Sequence, residues 1–172
     1  MKVAVHLLAR DESRRVFRAI PFEDRTTPDQ VLEQIWMPGV HSDVGGGYVE
    51  DFLSKISLMT MLDRIREYTL LKIDFGRSRS LRASIEEEFG ENRIVLNDEA
   101  QGIFKLAPTR WWGNRVPNGS DQCQSIHPIY EALQGRSYIT KGGTTNFFPI
   151  PKFPFANYAT IKSLENLRGN SL

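Results

Sequence analysis

The sequence predicts an α/β fold, on three observations. The stretch "VLEQIWM", residues 31 to 37, ends in the β-prone pair Ile35 and Trp36, then meets Pro38 and Gly39, where ladder pairing fails. The stretch "LSKISLMTMLDRIREY", residues 53 to 68, places Ile56, Met59, Leu62 and Ile65 at helical spacing, with Leu58 and Met61 alongside. Between them, "PGVHSDVGGGY" gathers polar side chains where the strand stops, which is where open α/β sheets bind ligands.

The remaining elements follow in chain order. Residues 2 to 17, "KVAVHLLARDESRRVF", read more easily as helix than strand, because Ala4, Leu7, Leu8 and Phe17 can share a face. "PFEDRTTPDQ" is a polar loop with two prolines. The helix at 53 to 68 takes Ser54 as its N-cap. From 72 to 125 the chain reads as irregular, except for a short helix in "SIEEEFGENR" closed by Gly90, its acidic triplet forming a solvated face. "TRWWGNRVPNGSDQ" is loop by composition. "HPIYEALQGR" is a short helix, with Pro128 in its first turn and Gly135 past its end. The stretch "GGTTNFFPIPKFPFANY" is expected to be extended and draped over an apolar surface. The aromatic stretches Trp111–Trp112 and 147 to 155 read as packing residues ahead of lipid contacts.

A chain of 172 residues is long enough for one domain, residues 1–172, with its own core. With 22 basic and 21 acidic residues, the net charge of +1 gives no overall pull toward nucleic acid or anionic lipid. One cysteine, Cys123, excludes an intrachain disulfide and suits a cytoplasmic setting. No apolar run approaches the ~18 residues of a transmembrane segment.

Several chemistries are open to the turn. Asp43 can cap a local turn. Gly45, Gly46 and Gly47 permit positive φ and a close backbone approach. A G-x-G-x-x-G nucleotide motif fails, because its last glycine falls on Glu50, and no Lys-Ser/Thr follows for a P-loop. On an extended segment His41 and Asp43 would point the same way, but two ligands are too few for a metal, and none is expected. His127 is either a satisfied polar residue or, following Asp43 in the chain, the last member of an acid-then-histidine order found in α/β hydrolases. The G-x-S-x-G serine of such a triad does not occur in these residues. A Cys123–His127 pair would need a helix upstream of Pro128.

Three segments carry a family resemblance. "HLLARDESRRVF" resembles an H-A-L-A-x-D-E-x-R-x-x-F segment. "QIWMPGVHSDVGGGY" resembles W-F-x-G-V-H-S-D-V-G-G-G-Y, departing at Met37. "SIHPIYEAL" resembles I-H-P-S-V-x-x-R, departing at Ile129, Tyr130 and Leu133. The chain thus resembles the catalytic domain of type VI secretion lipase effectors. The resemblance implies a partial α/β-hydrolase-like fold and a Ser-Asp-His ester hydrolase without a cofactor. Asp43 takes the place of the acid and His127 that of the base; His41 and Gly45, Gly46 and Gly47 form the structural turn. It implies a lipid or other ester substrate, and a nucleophile supplied by a missing N-terminal half or a separate chain. It further implies a cytoplasmic protein, or one exported through a type VI system as part of a larger effector. If so, the Asp43 carboxylate should lie about 2.6–3.2 Å from the His127 ring. The alternative is a non-catalytic binding or accessory module on the same scaffold.

Overall fold

The computed structural model describes residues 2–12, 14, 17, 19–22, 27–97, 123–140, 143, 145–148 and 158–164. It is a mixed α/β arrangement of two small sheets and their flanking helices. Strands β1 (Val3–Ala9), β2 (Val31–Met37) and β4 (Gln124–Ile126) form a parallel sheet in the order β1-β2-β4. The second sheet has the order β3-β5-β6, with β3 (Val95–Leu96) parallel to β5 (Ser137–Thr140) and β6 (Thr145–Phe147) antiparallel to it.

β1 corrects the expected helix at 2 to 17. Its apolar run is short enough for either period, and tertiary pairing decides. Each residue of β1 pairs with β2, from Val3 opposite Val31 to Ala9 opposite Met37. β2 is the central strand, and its end, Gln34 to Met37, is buried. Buried polar groups on this strand are matched. Trp36 Nε1 donates to Gln124 Oε1 at 2.6 Å. The amide of Gln34 exchanges hydrogen bonds with the backbone of Phe22.

Helix α1 (His41–Gly45) follows β2, and α2 (Phe52–Tyr68) follows it. The long helix was legible, but its face is narrower than expected. Phe52, Leu53, Ile56 and Met59 are buried, whereas Leu58 is exposed. Its N-cap is Asp51; Ser54 lies inside the first turn, where its hydroxyl donates to Asp51 O. Helix α3 (Phe75–Gly90) begins nine residues before the short helix expected, capped by the Asp74 carboxylate accepting from Gly76 N. Gly90 does not reverse it; the left-handed residue is Asn92, with φ 54°. Ile85 and Phe89 are the buried positions of α3, and Phe89 stacks on Phe52. Helix α4 (Ile129–Leu133) agrees with expectation: Pro128 precedes it and Gly135, at φ 75°, follows it.

One apolar cluster joins these parts, including Ile35 and Met37 from β2, Ile56 from α2, Phe89 from α3, Ile94 and Leu133. Phe148 is buried against Tyr138, as expected for a draped tail, while Phe147 is exposed. The tryptophan-containing loop and residues 149–157 lie outside the described residues. No helix among the described residues is long and apolar enough to cross a membrane.

Candidate functional site

β1, β2 and β4 run parallel, so their carboxyl ends share one edge. Arg10–Glu12, the turn 38–43 and His127 all leave the sheet there. The turn after β2 is bound by three carboxylates, one to each of three consecutive amides. Gly39 N donates to Asp11 Oδ2 at 2.8 Å, Val40 N to Asp43 Oδ2 at 3.0 Å, and His41 N to Glu12 Oε2 at 3.1 Å. In the opposite direction, Asp11 N donates to Gly39 O. A chain leaving a strand loses its ladder partners, and buried amides must find others. Here the segment after β1 supplies two of them.

Asp43 is 2% exposed. It is the third residue of α1, and its bond to Val40 N is the returning half of a capping box, the local capping role that residue types alone allow. Asn97, just after β3, completes its shell: Nδ2 donates to Oδ1 at 2.7 Å and the backbone N to Oδ2 at 3.3 Å. All these groups are donors, which suits a carboxylate. Burial nevertheless pushes its pKa above the ordinary value, against the hydrogen bonds from Asn97 and Val40, and Asp11 nearby adds to the rise.

The close backbone approach to Asp43 comes from a different glycine than expected. Gly39 sits at φ 95°, and a Cβ there would lie 2.6 Å from Asp43 Cβ and 2.8 Å from Oδ2. Gly45 is inside α1 with open space around it, and Gly46 and Gly47, at positive φ, carry the chain out of the helix. His41 and Asp43 are therefore two apart on a helical turn, not on an extended segment. They diverge: Asp43 is buried, and the exposed His41 ring lies against Phe17. No cluster of residues suited to a metal occurs among the described residues.

The second clamp, Glu12, is nearly buried and grips Arg14 through both oxygens. Burial raises its pKa, but the hydrogen bonds from Arg14 and from His41 N outweigh that and hold it below the ordinary value. The Arg14 guanidinium then lies 4.2 Å over the Phe17 ring. The four residues of "DExRxxF" thus form one connected brace around the turn.

His127 is fully buried, not exposed as its place between loop and helix suggests. Its backbone N donates to Trp36 O, which fixes it beside β2. Nδ1 accepts from Ile129 N at 3.0 Å, and Nε2 lies 2.8 Å from Thr60 Oγ1. Thr60 spends its own hydroxyl proton on Ile56 O, so it accepts from Nε2–H. The ring in this arrangement is the neutral Nε2–H tautomer. No hydrogen bond joins Asp43 to His127; the two share an edge of the sheet, but each is satisfied by its own neighbours.

The residues missed by sequence reasoning are Gly39, Asp11, Glu12, Thr60 and Asn97. Asp11 and Glu12 stood in a quoted motif without an assigned role. Gly39 was read only as a strand stop. Nothing in the sequence singles out Thr60 or Asn97.

Residues 1–64 match the family described as T6SS, Phospholipase effector Tle1-like, catalytic domain. The match bears out the family resemblance through its first two segments, covering β1, the brace, the turn and most of α2; the third segment, at residues 125–133, lies beyond it. No curated protein and no solved structure gives a significant match.

Proposed function

We propose that this chain contributes part of a lipase-like ester-hydrolase site acting on phospholipid, on a scaffold of the α/β-hydrolase kind. Asp43 is the orienting acid and His127 the base; the serine comes from outside these 172 residues. The observation that carries the reading is the family match over 1–64 together with the buried, donor-lined Asp43 within it. His127 follows the parallel strand next to the one that delivers Asp43, which supports the pairing. In the reaction His127 takes the serine proton as the hydroxyl attacks the ester carbonyl, then passes it to the leaving alcohol; water releases the acyl group by the reverse proton path. To do so the ring must exchange Ile129 N and Thr60 for Asp43 and the serine. As a member of a type VI effector family, such a hydrolase would act after export.

A second reading, a non-catalytic module on this scaffold, is favoured by one observation: both nitrogens of His127 are already occupied. Phospholipid and p-nitrophenyl ester hydrolysis separates the two. The chain alone should turn over neither. Joined to a segment bearing a G-x-S-x-G serine, it should hydrolyse both, with Asp43→Asn lowering kcat by about 10⁴-fold. A joined enzyme indifferent to Asp43→Asn and His127→Gln would leave the binding-module reading. Asp43-dependent turnover by the chain alone would show that a nucleophile lies within it.

A further inference from the structure

The overall charge balance conceals a local asymmetry at the corner between α2 and α3. A cleft of about 430 Å³ lies between the last turns of α2, the first turns of α3 and the short 3-10 helix Lys162–Leu164. Among the described residues, Arg64, Arg66, Arg79, Arg82 and Lys162 line it, with Asp63 and Glu67 as the acidic groups. Glu67 pairs with Arg64 at 3.0 Å, and Asp63 Oδ2 accepts from Ser163 N at 2.8 Å, a bond that fixes this carboxylate without cancelling its charge. Arg64 is further committed to Glu33, and Arg82 to Glu86. Arg79 and Lys162 are exposed and make no ion pair among the described residues. Ser163, also lining the cleft, holds a buried hydroxyl with no hydrogen-bond partner there.

At the end of this cleft the α2–α3 connection carries two adjacent leucines in water. Leu70 is 102% exposed and Leu71 is 68% exposed. Lys72 follows them, and Arg77 and Arg79 are exposed on the opening turns of α3. Apolar side chains at a tip, flanked by cations and backed by a cleft that Arg79 and Lys162 line, match the two signals of an interfacial anchor: a small apolar insertion and attraction to anionic headgroups.

We propose that the α2–α3 corner docks this chain onto an anionic lipid bilayer, with Leu70 and Leu71 entering the interface and the Arg79–Lys162–Ser163 cleft receiving a lipid phosphate. The choice of lipid over other polyanions rests on the function proposed above, and docking there would add a surface to that function, remote in sequence from Asp43 and His127. Two short side chains alone anchor weakly, so the electrostatic part must contribute and must weaken with salt.

Co-sedimentation with ether-linked vesicles tests this, because ether lipids offer no ester and the readout does not depend on hydrolysis. The chain should bind vesicles containing phosphatidylglycerol at least about tenfold better than pure phosphatidylcholine vesicles at low salt. L70S/L71S and R79Q/K162Q should each remove most of that difference while keeping the parent's circular dichroism. All four positions are exposed, so folding should survive both pairs of changes. No preference for anionic vesicles, or a preference unchanged in both variants, would overturn the proposal. Binding that survives L70S/L71S and is displaced by millimolar inorganic phosphate would assign the cleft to free phosphate and also overturn it. Vesicle binding is read on the chain alone and hydrolysis on the chain joined to a serine-bearing segment, so the failure of one proposal is distinguishable from failure of the other.

Discussion

The turn after β2 and the corner after β4 leave the same edge of one parallel sheet, yet they are held in opposite ways. The turn is held from outside: carboxylates from another segment and from α1 grip its amides, and Asp43 is positioned as an acceptor surrounded by donors. The corner is held by its own histidine, whose ring bridges Ile129 N and the Thr60 hydroxyl of α2. In the first case the backbone is arranged so that a carboxylate can be buried. In the second, a titratable ring has become a structural tie. The acid of the proposed pair is therefore built into the fold, whereas the base must be released from it.

The largest expected effect breaks the first arrangement. Gly39→Ala adds a methyl group 2.6 Å from Asp43 Cβ and strains a residue at φ 95°. Left-handed strain and overpacking together should cost about 3 kcal/mol. Gly45→Ala is the matched control, since nothing lies within 4 Å of its added Cβ and the residue is helical. It should be neutral or stabilising by up to about 1 kcal/mol. Urea unfolding of both variants checks the contrast. Equal costs would mean that the glycine run, not Gly39, carries the turn.

The second arrangement is broken more mildly. Thr60→Val keeps the shape but leaves the buried Nε2–H of His127 without its acceptor, which should cost about 2 kcal/mol. Nitrogen-15 chemical shifts of the parent ring should report the neutral Nε2–H tautomer. An Nδ1–H tautomer in the parent would mean that the ring has already turned toward a carboxylate, and would remove the difference between the two regions.

Legibility in the sequence followed how local the cause of each feature was. Helix α2 and the strand at 31–37 announce themselves through periodicity and composition, and α4 through Pro128 and Gly135 at its ends. β1 was misread because seven residues cannot separate a strand from a buried helix, and only pairing with β2 decides. α3 was shortened because its opening, "FGRSRSLR", lacks an apolar stripe, and its stability draws on tertiary contact at Ile85 and Phe89. In the site, Asp43 was visible because its motif is long. Of the donors that make its burial tolerable, Val40 N is local but Asn97 is 54 residues away, and the clamps on its turn come from residues 11 and 12; no spacing rule links these residues to it. The His127 tie depends on a threonine 67 residues earlier. Such contacts become visible only once β2 lies between β1 and β4.

The smallest expected effect distinguishes the clamps on the turn by their pH dependence. Glu12 is held below its ordinary value of 4.5, with burial opposed and outweighed by Arg14 and His41 N. A depressed carboxylate contributes stability that is fully present above its unfolded pKa and is lost as pH falls through the folded one. Asp43 has the opposite sign. Burial raises it above 3.8, so its contribution is present below that value and is lost as pH rises through the folded one. The two slopes partly cancel in the parent, which makes either hard to see alone. Glu12→Gln removes one of them. Its cost should be greatest near neutral pH and should shrink as acid protonates Glu12 in the parent, below about pH 4.5. Urea midpoints of parent and variant across that range provide the measurement. A cost that stays constant with pH would mean that Glu12 holds the turn through shape and hydrogen bonding alone, with its charge playing no part, and the turn and the corner would then be held by the same kind of neutral contact.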